Sequence, residues 1–231
     1  MKNHYIKRVL MALTGMFIYA FGVFLTIRAD VGIAPWNVFF MAISNKLGVS
    51  FGAVTVVINI IILCAALGLK EKIGLITILD TLISGPFVDL FDKVIFKNVV
   101  FPASYVWRYF MLFASMIIMS LALSVYMRAA IGCGPRDSLM LGLGKRSKKI
   151  PVGIVCLFLD ATVFGIGCLI DITYVGIGTA VLAFLFGPIM TLTFKIMKFE
   201  PKNIIHEDII TTFRNIFHIK PHVPPNGASA K

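Results

Sequence analysis

The chain has 231 residues, 58% of them hydrophobic and 14% charged, with a formal net charge of +11 and a mean hydropathy of +0.91. So much apolar surface cannot be covered by so few polar groups, which excludes a water-soluble domain and makes the chain an integral membrane protein. The positive charge does not indicate nucleic acid, because the basic residues fall in short clusters between apolar runs, where membrane topology puts them.

Residues 1–8 are a short basic lead. The uncharged run 9–27 that follows is longer than the core of a signal peptide and no small-x-small cleavage site follows it, so it is expected to remain as a first span. It ends in Arg28-Ala29-Asp30-Val31-Gly32-Ile33-Ala34-Pro35, after which residues 36–47 are helical in pattern. At 1.5 Å per residue a dozen positions reach about 18 Å, well short of a hydrocarbon core of about 30 Å. This segment is therefore a half-helix that re-enters, lies at the interface or extends a neighbour. The run 47–69 is a second span and 73–91, which carries Asp80 and Asp89, a third. Residues 92–108 form a polar and aromatic connector suited to the headgroup level.

The uncharged run 109–127 is a fourth span. It ends in Arg128-Ala129-Ala130-Ile131-Gly132-Cys133-Gly134-Pro135, and a second short helix, 135–143, and a basic loop, 145–149, follow. The runs 150–170, carrying Asp160, and 172–194 supply spans five and six. From residue 199 apolar side chains recur at helical spacing, which suits a short amphipathic helix on the inner leaflet, and beyond Pro221 the composition is that of a disordered tail.

The two breaks are one hundred positions apart and identical at four of eight positions. Matches continue in the same order: Gly52 with Gly153 and Asn59 with Asp160 at an offset of 101, then Gly74 with Gly176, Thr77 with Thr179 and Gly85-Pro86 with Gly187-Pro188 at 102. Such order implies an internal duplication. Three spans per copy is an odd number, so the second copy is expected to enter the membrane from the opposite face, giving an inverted repeat. Counting each half-helix as a full span gives a parallel four-plus-four repeat instead. Both threadings put 17 of the 22 Lys and Arg residues on the inner side, so charge does not choose; helix length favours three plus three. The expected architecture is an all-α polytopic membrane protein of six spans with two broken helices, divided as residues 1–98, 99–198 and a cytoplasmic tail 199–231. Both termini are expected in the cytoplasm.

Pro35 and Pro135 occupy first helical positions, where a missing N–H costs nothing. Inward-pointing helices there would offer N–H groups and partial positive charge to an anionic group, unless the breaks are purely structural. Arg28 and Arg128 either snorkel, with Arg28 paired to Asp30, or join Arg136 in an anion clamp. Asn37 and Asp137 follow the prolines, Asp137 also being suited to stabilise its own helix N-terminus. Asp160 lies about ten residues into an apolar run, where an isolated charge costs several kcal/mol, so it must be neutral, paired or facing water. Its counterpart Asn59 keeps a polar group at the same depth. Asp160 and Asp80 are candidate coupling carboxylates, the alternative being structural interhelical hydrogen bonds. The four cysteines are scattered and the four histidines lie outside the spans, so neither disulfides nor a metal are expected, nor any cofactor.

Across residues 10–195 the sequence resembles the YczE/YitT-type family of bacterial membrane proteins. The resemblance is carried by residues 28–37, by Gly132-Cys133-Gly134-Pro135-Arg136-Asp137-Ser138-Leu139-Met140-Leu141-Gly142, by Gly176-Ile177-Gly178-Thr179 and by Gly187-Pro188. Asn37 departs from the Asp expected there. The resemblance implies a bacterial inner-membrane protein of five or six spans, for which transport is commonly supposed.

These readings give a secondary transporter or exporter of a small anionic or zwitterionic solute, its partners being that solute and the lipid bilayer, with a homo-oligomer left open. The alternative is a non-transporting scaffold that engages a partner complex through the basic loops and tail. An enzyme is not expected, because the spans hold no acid–base, nucleophile or metal set.

Overall fold

Long apolar runs in hydrocarbon have no partner for their backbone except themselves, and this chain satisfies that demand with helices. A computed structural model describes residues 2–71, 73–101, 104–132, 134–146 and 152–199, with residues 209 and 212. The helices are α1 Lys2–Ala29, α2 Pro35–Leu47, α3 Phe51–Gly68, α4 Leu75–Leu90, α5 Tyr105–Arg128, α6 Pro135–Arg146, α7 Val152–Ile170 and α8 Ile177–Ile196, with a π-helical turn at Phe91–Ile95 after α4. There is no strand among the described residues.

Four stretches are long and apolar enough to cross a membrane: Tyr5–Ala29, Phe51–Gly68, Tyr105–Arg128 and Ile177–Ile196. This is fewer than the six expected. Of the other two runs, α7 supplies a shorter apolar helix, and α4 has only 16 residues, among them two aspartates and Pro86. α2 has 13 residues and α6 has 12, about 20 and 18 Å of helix.

α1 and α5 pack antiparallel along their length. At the end where α1 begins, Arg8 donates to the carbonyls of Ala129 (2.7 Å) and Ala130 (3.0 Å) just beyond α5. At the far end Arg108, in the first turn of α5, donates to the Asp30 carbonyl (3.0 Å) and carboxylate (2.9 Å) just beyond α1. Between them a Cβ on Gly15 would stand 2.8 Å from the Tyr126 nitrogen, the close approach that small residues give to helices in lipid. Buried Ser115, Ser120 and Ser124 donate to carbonyls three residues back on α5, which satisfies their hydroxyls within the helix.

The breaks dock reciprocally. The Val31 carbonyl accepts from Gly178 N–H at 2.7 Å, and the Ile131 carbonyl accepts from Ile76 N–H at 3.2 Å. In each case the first turn of the receiving helix is closed by a threonine, Thr179 accepting from Gly176 N–H and Thr77 from Gly74 N–H, both at 3.3 Å. Gly32 and Gly132 have φ of 119° and 133°, backbone that residues with a Cβ rarely adopt. A Cβ there would also meet Thr179 N at 2.6 Å or Gly74 Cα at 2.9 Å. Thus the first break lies on α8 and the second on α4.

The half-helices follow the same exchange. Along α2, Trp36 bonds Asp160 in the middle of α7, and Asn45 bonds Asp171 just past its end. α2 therefore starts deep in the bundle and returns to the far end. α6 starts beside Asp80 and finishes against the end of α3, where Gly142 packs on Leu69 and Glu71. Phe17, Phe21, Phe24, Phe87, Phe91, Phe96 and Phe101 fill the far end, their neighbouring ring centroids 4.8 to 6.4 Å apart. The expected amphipathic tail lies outside the described residues except at Phe199, Ile209 and Thr212; Ile209 N–H donates to the Ile73 carbonyl at 2.8 Å.

Candidate functional site

Because each half-helix begins in the interior with proline, its second residue projects where the two arms meet. Trp36 and Arg136, one hundred positions apart, are these residues, and both grip Asp160 from α7. Arg136 Nη2 lies 2.7 Å from each carboxylate oxygen, and Trp36 Nε1 donates to Oδ1 at 2.6 Å. The guanidinium also stands 5.1 Å from the Trp36 ring centroid. Asp160 is thus paired, as an aspartate at that depth requires.

In front of this node is a cavity of about 200 Å³. The first turns of α2 and α6 line it with Trp36, Asn37, Pro135, Arg136 and Asp137; α1 and α5 add Tyr19 and Tyr126, α3 adds Phe51, Thr55 and Asn59, and α4 adds Asp80 and Ser84. Asp160 is behind this wall and not in its lining. Arg136 is the cationic member of the lining and is held by Asp160, whereas Asp80 and Asp137 contribute carboxylates. Asn59 is only 7% exposed.

The residues singled out in the sequence separate into two groups. Asn37, Asn59, Pro135, Arg136, Asp137 and Asp80 border one cavity, with Asp160 directly behind it, whereas Pro35 opens α2 without lining the cavity. Arg28, Arg128 and Asp30 do not join them. Arg28 pairs with Asp92 at 2.7 Å at the far end, and Asp30, turned into the left-handed region at φ 51°, pairs with Arg108 instead of Arg28. Arg128 donates to the Met197 carbonyl at the opposite end and lies over the Phe199 ring. Each arginine ends a long helix, so its side chain serves the exposed C-terminal carbonyls and ring faces nearby, and no three-arginine clamp forms.

Trp36, Tyr19 and Tyr126 are site residues that sequence reasoning did not select. Trp36 had a visible signal, since it follows Pro35 as Arg136 follows Pro135 after a matching break. The tyrosines carried none, as aromatic residues within a span are ordinarily packing. Outside the spans, Asp171 is held below the usual carboxylate range by hydrogen bonds from Thr173 and then Asn45. No three His, Cys, Asp or Glu side chains group as metal ligands among the described residues.

Residues 6–195 match DUF6198, described as a family of unknown function. The chain belongs to this family. As a DUF6198 member it is 31% identical over 147 residues to the uncharacterized membrane protein YczE of Bacillus subtilis (strain 168), a match covering 61% of this chain and 65% of that protein. It is 26% identical over 169 residues to the uncharacterized protein YyaS of the same organism, covering 71% of this chain and 81% of YyaS. An uncharacterized protein of Haemophilus influenzae is 23% identical over 218 residues, covering 94% and 88%. No solved structure matches the chain. The YczE part of the resemblance stands on these matches, and the chain is an integral membrane protein.

Proposed function

We propose that this DUF6198 protein is a secondary carrier of a small solute, assembled from two three-span halves, residues 1–98 and 99–198, set antiparallel about a pseudo-two-fold axis in the membrane plane. In this reading α1, α3, α4, α5, α7 and α8 cross the membrane, while α2 and α6 begin in the interior and run out to opposite faces. The observation that carries it is the meeting of Trp36 and Arg136, counterparts from the two half-helices, on Asp160 beside one cavity. Half-helices that end at a shared central site are the architecture of many carriers with internal repeats. The basic residues clustered where α1 begins favour the cytoplasmic side of a bacterial inner membrane for both termini. The further likeness to YitT-type proteins rests on the motif residues alone.

The lining favours different roles from those read in the sequence. Asp160 has a fixed cationic partner at 2.7 Å, so it serves better to pin the two half-helices together than to load and release a proton. Asp80, which borders the cavity, takes the coupling role. An anionic solute is disfavoured by a lining whose cation is already engaged. No reaction is assigned to the site.

The test is solute counterflow with the full chain in proteoliposomes, screened against a pool of small metabolites. Flux lost in Asp80→Asn is expected. Absence of flux with every solute, together with loss of cellular function on deleting residues 199–231 alone, would establish the scaffold reading instead.

A further inference from the structure

The carboxylates of the cavity border one point of backbone. A Cβ placed on Gly134 would stand 3.3 Å from Asp80 Oδ2 and 3.7 Å from Asp137 Oδ2. Arg136, the cation of the lining, turns its Nη2 to Asp160, 2.7 Å from both carboxylate oxygens. A second observation is independent of these acids. Asn59, only 7% exposed, makes no hydrogen bond to any described residue and lines the same cavity. Its amide opens on the cavity, where a polar group of a ligand can bond it. The remaining wall includes the aromatic side chains Tyr19, Trp36 and Tyr126, whose ring faces attract cations.

We propose that this cavity binds a small organic ammonium ion, with its charge between Asp80 and Asp137, its apolar body against the aromatic wall and a polar substituent at Asn59. The cavity of about 200 Å³ is smaller than the roughly 300–1,000 Å³ of sites for drug-sized ligands, so it selects a compact amine. This names the solute class for the carrier reading and rests on taking the cavity as that carrier's solute site.

The chain has two tryptophans, so Trp107→Phe leaves Trp36 as a fluorescent reporter in the cavity. Full-length protein in detergent is titrated with tetramethylammonium chloride at constant ionic strength, alongside sodium chloride and sodium acetate. A saturable change in Trp36 emission specific to tetramethylammonium is expected, about ten-fold weaker in Asp80→Asn. Asn59→Asp, which adds a third carboxylate, should bind several-fold tighter, a gain that misfolding does not produce. The proposal is overturned by no saturable change in folded protein, by an equal response to sodium chloride, or by an acetate response indifferent to Asp80→Asn. Ammonium binding without flux would remove the carrier and keep this site; flux of an anion without ammonium binding would do the reverse.

Discussion

Arg136, Trp36 and Asp160 come from three helices, and their energetic coupling can be measured. The ion pair is partly exposed, at 42% and 32% of the two side chains, so its worth is nearer an exposed pair than a buried one, about 1–2 kcal/mol. Arg136→Gln and Asp160→Asn should each lower stability by about that much in equilibrium unfolding in mixed micelles, and the double variant by less than their sum. Additive losses would show that the node does not act as a unit. At the far end, Asp171 has a lowered folded-state pKa, so its stabilising contribution is complete above the unfolded value and is lost as pH falls through the folded one. Asn45→Ala removes one of its hydrogen bonds and should shift the acid-side loss of melting temperature upward, toward about pH 4; an unchanged acid limb would show that this bond is not formed. The depth of Asp160 and Asn59 was legible from their position in apolar runs. Their partners were not, since contacts such as Trp36 with Asp160 join residues 124 apart and leave no local pattern.

Among the helices, the two breaks depend on glycine at φ 119° and 133° and on direct contact with the first turns of α8 and α4. Gly32→Ala and Gly132→Ala should each destabilise by more than about 1 kcal/mol. The damage should also be directional. Gly32→Ala is expected to speed hydrogen exchange at Gly178 N–H on α8, and Gly132→Ala at Ile76 N–H on α4, because those amides donate to the adjoining carbonyls. Equal loss of protection at both amides in either variant would refute independent docking. The sequence showed the breaks, the prolines that open α2 and α6, and their helical lengths, because proline, glycine and charge interrupt an apolar pattern. It also showed Gly74-Thr77 and Gly176-Thr179 as matched positions. It did not show that these are docking turns, because a glycine packed against a helix and one packed against a break look alike in one dimension. The same limit explains Arg28, which pairs with Asp92 across the far end and not with nearby Asp30.

In the whole molecule α1 and α5 run antiparallel, and the half-helices α2 and α6 begin together in the interior and end on opposite sides. The most direct test of this arrangement is cysteine accessibility in intact cells, with the four native cysteines replaced and single cysteines introduced at Val49, just beyond α2, and Arg146, at the end of α6. A membrane-impermeant maleimide is expected to label the Val49→Cys protein from outside and the Arg146→Cys protein only after the cells are opened. Labelling of both from the same side would contradict the antiparallel halves, and with them the shared interior site.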